Sequence, residues 1–178
     1  MCCDLYPEMV EFCVKTFGVS GATSKEDLSQ LRFAEPFDLI WSGSLLTHLD
    51  TYLFHAAFDL LRRSLSKEGV AICTLHGRQV LHLQHNVWKM CDDSLFAPAE
   101  TDMKSTGFGF IDTHDERSQE VHYLNKDFGG GHSLSMPSYV IKILENFNDV
   151  SICLYREAGW NWHQDVVAFC KPGILSQG

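Results

Sequence analysis

Several residues are of a type and placement that could do chemistry. Asp4 stands where a short strand is expected to hand over to a helix beginning at Pro7. An acidic residue there can accept hydrogen bonds from both hydroxyls of a ribose, or it can cap the helix. Ser42, Gly43 and Ser44 follow the apolar run Phe37–Trp41. The carboxyl end of a strand is where open α/β sheets bind ligands, and Gly43 would let a ligand approach the backbone; an ordinary strand-to-helix turn has the same composition. His48 lies one turn further on and is read either as facing an acceptor or as structural. His76 ends a second apolar run, with Arg78 available for an anionic substrate group, although a surface helix start accounts for both. Trp160, His163 and Gln164 share one loop, in which Trp160 could pack a sugar or ring and His163 could act as a base. Packing of a hairpin end is the alternative.

Other patterns carry less. His82 and His85 are an i, i+3 pair on a helix without a carboxylate or third ligand at metal-site spacing, so no metal is expected and a half-solvated helix face is the default. Gly129, Gly130, Gly131 and His132 read as a loop, a candidate lid, that neither follows a strand nor opens a helix as a phosphate loop must. The run Thr113–Arg117 reads as solvated surface. No catalytic triad is visible.

The elements that must position these residues follow from periodicity. A helix is expected near Pro7–Phe17, with Met9, Val10, Cys13, Val14 and Phe17 on one face and Gly18 ending it. A short strand over Val19–Thr23 follows, and Ser24 can open a capping box with Asp27. After the strand at Phe37–Trp41, a helix capped by Asp50 or Thr51 runs to about Ser66 on a stripe of Leu53, Ala56, Ala57, Leu60, Leu61 and Leu65. Lys67-Glu68-Gly69 turns into a strand at Val70–Leu75, and a helix spans about Arg78–Met90. Asp92–Ser135 reads as irregular, an insertion or lid of a single domain over 1–178. A helix from Pro137 to about Phe147 precedes two strands, Val150–Arg156 and Asp165–Cys170. The residues between those two are too few for a crossover helix, so they pair antiparallel. The fold class is α/β: a doubly wound, Rossmann-like, mostly parallel sheet with an antiparallel C-terminal strand pair.

Composition limits the partners. The 178 residues carry 14 Lys+Arg against 23 Asp+Glu, a net charge of −9, with no basic cluster longer than Arg62-Arg63. Nucleic acid and anionic membrane are therefore not expected; a small-molecule or glycan acceptor fits better. No apolar run approaches the roughly 20 residues that span a bilayer. The seven cysteines form no C-x-x-C pair, which with the absence of a secretory signal points to a cytoplasmic protein with free thiols.

The order of these motifs resembles the class I S-adenosylmethionine-dependent methyltransferases. The resemblance covers roughly residues 3–78 and 134–171. Phe37–Leu49 is similar to that family's fourth strand and the cofactor-facing turn after it, and Leu65–Thr74 to its entry into the fifth strand, with Glu68-Gly69 in place of two glycines. The ending Glu157–Val166 is similar to a bacterial subset of these enzymes. The resemblance implies S-adenosylmethionine as cofactor, held by Asp4, by Ser24 in the adenine-contacting region, and by Ser42, Gly43, Ser44 and Leu45. His48 and His163 are then the candidate catalytic residues, and His76, Arg78, Trp160 and Gln164 the acceptor-binding ones. The family's first strand, with its Gly-x-Gly loop, has no counterpart in the sequence before Asp4. A truncated or non-catalytic relative that does not bind the cofactor on its own is thus the competing expectation, and exposed sheet edges would favour an oligomer. A nicotinamide-dependent dehydrogenase is the other competitor, opposed by the antiparallel final pair.

Overall fold

The computed structural model describes residues 1–112 and 131–172. The first unit is small. Strand β1 (Cys2–Asp4) pairs in parallel with β2 (Gly21–Thr23), and helix α1 (Pro7–Phe17) connects them. Pro7 begins α1 and Gly18, at φ 65°, ends it, as expected. Gly21 lets β2 approach α1: a Cβ there would collide with Val10. The expected apolar face of α1 is only partly covered, since Val10 alone is buried while Met9, Phe12 and Phe17 are more than half exposed.

The second unit is a four-stranded sheet in the order β3-β4-β8-β7. Its strands are β3 (Phe37–Ser42), β4 (Leu65–His76), β7 (Ser151–Trp160) and β8 (Gln164–Cys170). β3 and β4 run parallel; β8 is antiparallel to both β4 and β7. No strand pairing joins β1 or β2 to this sheet. β4 starts earlier than the expected turn at Lys67–Gly69, which instead is drawn into the strand where the register with β3 shifts between Phe37 and Leu39. The expected loop before Gln164 is likewise almost consumed by β7 and β8, because Ala158, Asn161 and Trp162 take left-handed φ values of 50°, 48° and 63° and close a tight hairpin.

Residues paired across strands project from the same face. Ala71, Cys73, Leu75, Val167 and Phe169 lie on one face and are buried with helix α2 (Thr51–Ser64) and helix α5 (Pro137–Glu145). The other face carries Leu39, Val70 and Cys170, then Trp41, Ile72 and Ala168. It is bare toward β3, where Leu39 is 64% exposed and Trp41 49%. α2 begins at the Asp50 cap, whose carboxylate accepts from the Leu53 N–H at 2.8 Å. Its stripe is led by Phe54 and Phe58, both fully buried, beside the expected Ala57, Leu60 and Leu61.

Asp92–Ser135 is not irregular where it is described. Helix α4 (Asp93–Thr106) and the antiparallel pair β5 (Phe108–Asp112) and β6 (Gly131–Ser135) follow helix α3 (Arg78–Asn86). Pro98 inside α4 costs a helical hydrogen bond, yet Phe96, Ala99 and Met103 bury a continuous stripe against Val80, Ile111 and Leu134 that outweighs it. Gly129, Gly130 and the Thr113–Arg117 run lie outside the described residues.

Candidate active site

The carboxyl ends of β3 and β4 lie side by side, and the turns leaving them converge. Past Ser42, the chain turns through Ser44, a left-handed residue at φ 57°. Its N–H donates to Thr74 Oγ1 of β4 at 2.8 Å, and its hydroxyl bonds the Gln164 carboxamide of β8 at 2.9 and 3.1 Å. Three strands are thereby tied at one corner. Gly43 leaves room there for the Trp41 indole, whose Nε1 would lie 2.9 Å from a Cβ at this position. A short 3-10 helix, Leu46–His48, then buries Leu46 and carries His48 toward β6, where Nδ1 sits 2.9 Å from the Gly131 carbonyl. The carbonyl can only accept, so Nδ1 carries the proton of that bond and the ring is oriented by it.

His48 is one of four imidazoles in a row. Ring centroids are 5.3 Å apart for His48–His132, 6.0 Å for His132–His76 and 6.1 Å for His76–His163, and the indole of Trp88 closes the row 6.3 Å from His163. Burial pushes His76 down to about 3, helped by its histidine neighbours, while the Ser133 backbone pulls the other way. Burial, then the proximity of His48, pushes His132 down to about 4. Both are neutral imidazoles at physiological pH. Two ring nitrogens of the row are buried without a hydrogen-bond partner: Nδ1 of His76 and Nδ1 of His132.

The floor is polar but neutralised. Asp165, directly beneath Gly77, accepts from the Tyr155 hydroxyl and the Ala158 N–H, both at 2.9 Å, and burial holds its carboxyl above the usual range. Arg78 is paired with Glu157, with Nε to Oε1 at 2.6 Å, rather than free for a substrate anion. Among the described residues, no group of three His, Cys, Asp or Glu is placed to hold a metal ion, and His85 instead bonds Glu100 at 2.8 Å.

The structure thus gathers His48, His76, His163, Gln164, Ser42, Gly43 and Ser44 in one region. Leu45 is 43% exposed beside it, and Trp160 stacks on Trp41 at 4.9 Å. Asp4 and Ser24 form a second group, at the ends of β1 and β2, where the Ser24 N–H donates to the Asp4 carbonyl at 2.7 Å. Asp4 is not the α1 cap: Tyr6 holds that position, and Asp4 Oδ1 accepts the Tyr6 N–H at 2.9 Å. The capping box of Ser24 and Asp27 does not form either. Asp27 caps the short helix Leu28–Gln30 itself, and the Ser24 hydroxyl bonds the Lys25 carbonyl. His132 is the member sequence reasoning missed, since Gly131–Ser135 was read into a loop; the alternation in Gly131-His132-Ser133-Leu134-Ser135, ahead of Pro137, is the strand signal that could have found it.

No family model and no curated protein matches the sequence. Solved structures do. An S-adenosylmethionine-dependent methyltransferase from Clostridium acetobutylicum ATCC 824 superposes with a TM-score of 0.57 at 14% identity, covering 95% of this chain and 73% of its own. The glycopeptide N-methyltransferase MtfA, complexed with S-adenosylmethionine, gives 0.56 at 12%, covering 96% and 71%. The chain has the class I methyltransferase fold. A Rhodobacter sphaeroides protein provisionally described as a Zn-dependent alcohol dehydrogenase gives 0.61 at 10%, covering 95% and 73%, so the likeness is one of fold and does not assign an activity.

Proposed function

We propose that this chain transfers a methyl group from S-adenosylmethionine to a small-molecule acceptor bound over the histidine row. The observation that carries the reading is the placement of that row in a class I methyltransferase fold: His76 ends β4 and His48 follows the end of the parallel strand β3, its Nδ1 held on the Gly131 carbonyl. Two features fit the cofactor. Asp4 spends Oδ1 on Tyr6 while its other oxygen bonds nothing among the described residues, which suits a ribose diol, and Ser42 Oγ is a buried hydroxyl without a partner at the β3 turn. Asp4, Ser24, Ser42, Gly43, Ser44 and Leu45 are the residues proposed to hold it.

S-adenosylmethionine supplies a methyl activated on a sulfonium. The protein positions the acceptor and excludes water. His48 Nε2 takes the proton of the acceptor, the Gly131 carbonyl steadies the ring and stabilises the charged form, and His163 guards the outer end of the row. Gln164 and Ser44 fix the corner on which the acceptor rests. Calorimetric titration of the full chain with S-adenosylmethionine, beside Asp4→Ala, tests the reading. Micromolar binding weakened about tenfold or more by the substitution supports it. A folded, monodisperse chain that binds none refutes it, and a non-catalytic relative of the fold then takes its place.

A further inference from the structure

All seven cysteines lie among the described residues and are free, so the thiol inventory of the chain is complete. Two of them meet in the first unit. Cys2 of β1 stands opposite Gly21 of β2, and residues paired across strands project from the same face. That face is the one α1 covers: a Cβ on Gly21 would lie 2.8 Å from Val14 Cγ2, closer still to Val10, and 3.7 Å from Cys2 Sγ. Cys2 Sγ reaches the helix backbone itself, 4.0 Å from the Val10 carbonyl. Cys13 lies on the same side of α1, because residues three or four apart in a helix are neighbours on its surface. A side chain in a helix points back toward the carbonyls three or four residues earlier, which for Cys13 are those of Val10 and Met9. The two thiols therefore meet beside the Val10 carbonyl and are hydrogen-bond neighbours.

The other cysteines do not compete for either partner. Successive residues of a strand point to opposite faces, so Cys3 is directed away from α1 and meets the Ser24 hydroxyl. Cys153 and Cys170 are also neighbours. Across β7 and β8, however, Ser151 stands opposite Cys170, and Cys153 sits at the register shift between Ile152 and Leu154, diagonal to it. Diagonal Cβ atoms are about 7 Å apart, whereas a disulfide needs about 3.5–4.5 Å. Cys170 is buried, while Cys2 and Cys13 are both half-buried and open to a small reagent. Burial and the neighbouring Cys2 push the Cys13 thiol up, so at neutral pH Cys13 rests as a thiol and the pair is reduced until an oxidant traps it.

We propose that Cys2 and Cys13 are a redox modification site, oxidised by a small disulfide of the glutathione class to an intramolecular disulfide that clips β1 to α1. The Cys2 thiolate attacks one sulfur of the small disulfide, whose S–S bond breaks, and one small thiol leaves. Cys13 then gives up its proton and attacks the Cys2 sulfur of the mixed disulfide; the Cys2–Cys13 bond forms and the second small thiol leaves. Two protein thiols are oxidised and one small disulfide is reduced to two thiols, and excess small thiol reverses the step. The clip acts where the fold has little else to hold it. β1 and β2 have three residues each, a two-stranded sheet is marginal alone, and among the described residues no strand pairing ties them to the larger sheet. A cross-link between Cys2 and Cys13 removes the open conformations of the segment between them.

The test treats the folded full chain with oxidised glutathione, alkylates the remaining thiols under denaturing conditions and maps them by mass spectrometry. Glu8 and Glu11 lie between the two cysteines, so a glutamate-specific protease separates them unless they are bonded. The expected result is that two of the seven thiols are lost to alkylation and a Cys2–Cys13 linked peptide appears. The β1 amides should then exchange with solvent at least about tenfold more slowly than in the reduced chain. Cys3→Ser retains the link, while Cys13→Ser stops at a glutathione adduct on Cys2. Circular dichroism matching the wild type qualifies each variant, and the wild-type result stands without them. Retention of all seven thiols overturns the proposal. So does a link through Cys3 or between Cys153 and Cys170 in place of this one, and so does a Cys2–Cys13 link that leaves β1 exchange unchanged.

Discussion

Acidification should destabilise this fold through two particular rings. In an unfolded chain, His76 and His132 titrate near 6.5. Folded, they are held to about 3 and about 4 by burial and by one another's company in the row. Between those values the unfolded chain binds protons that the folded chain refuses, so stability is intact above about pH 6.5 and falls as the pH drops toward the folded values. The slope approaches ~1.4 kcal/mol per pH unit for each ring, so going from pH 7 to pH 5 removes about 2 kcal/mol per ring and about 4 kcal/mol in all. That is a large part of the ~5–15 kcal/mol typical of a domain. The carboxylates do not mimic this loss. Asp27, Asp93, Glu100, Asp149 and Glu157 are held below their ordinary values by hydrogen bonds and ion pairs and remain ionised across the window. Asp165, raised by burial, works in the opposite sense and gains stability on acidification. Urea denaturation at pH 7 and pH 5, on the wild type and on a double variant His76→Gln/His132→Gln, isolates the rings. The wild type should lose about 4 kcal/mol between the two conditions and the double variant about 1 kcal/mol or less. Equal losses would show that the rings are not buried neutral in the folded state, and the neutrality on which the site rests would fall with them.

Further expectations concern packing and surface. Gly77→Ala places a methyl against the Asp165 carboxylate beneath it and should cost about 2–3 kcal/mol in urea denaturation, with loss of the Tyr155 and Ala158 hydrogen bonds. Phe54→Ala empties a position that is 0% exposed and touches Phe58 and Phe108 with ring centroids at 5.3 and 5.0 Å; a loss of about 3–5 kcal/mol is expected by the same measurement. Among the described residues β3 presents an unpaired edge, with Leu39 64% exposed, so sedimentation velocity should show concentration-dependent self-association that Leu39→Lys reduces; a strictly monomeric wild type would refute this.

Legibility in the sequence followed the range over which each feature is determined. Helices α1, α2 and α5 announce themselves through a local period and a local cap, and the closing antiparallel pair through the shortness of its connection. α4 was missed because Pro98 breaks the local pattern, whereas the burial that overrides it depends on Val80, Ile111 and Leu134, which are distant in sequence. The turn after β3 was legible as a site because glycine and two serines follow a buried strand. Its mechanics were not, since they depend on Thr74 and Gln164 reaching Ser44 from other strands. The histidine row is the extreme case. Its members are 28, 56 and 31 residues apart in sequence order (48, 76, 132, 163), so no spacing rule links them. Each looks isolated: His76 at a strand end, and His48, His132 and His163 in turns or loops. They become neighbours because β3 lies beside β4, because β8 pairs with β4 so that Gln164 stands opposite His76, and because β6 packs its Gly131 carbonyl on His48. A lone exposed histidine titrates near neutrality and accepts or donates with water; burial and the neighbouring rings instead hold His76 and His132 neutral. The chemistry proposed here therefore depends on the pairing of strands that brings these distant residues together.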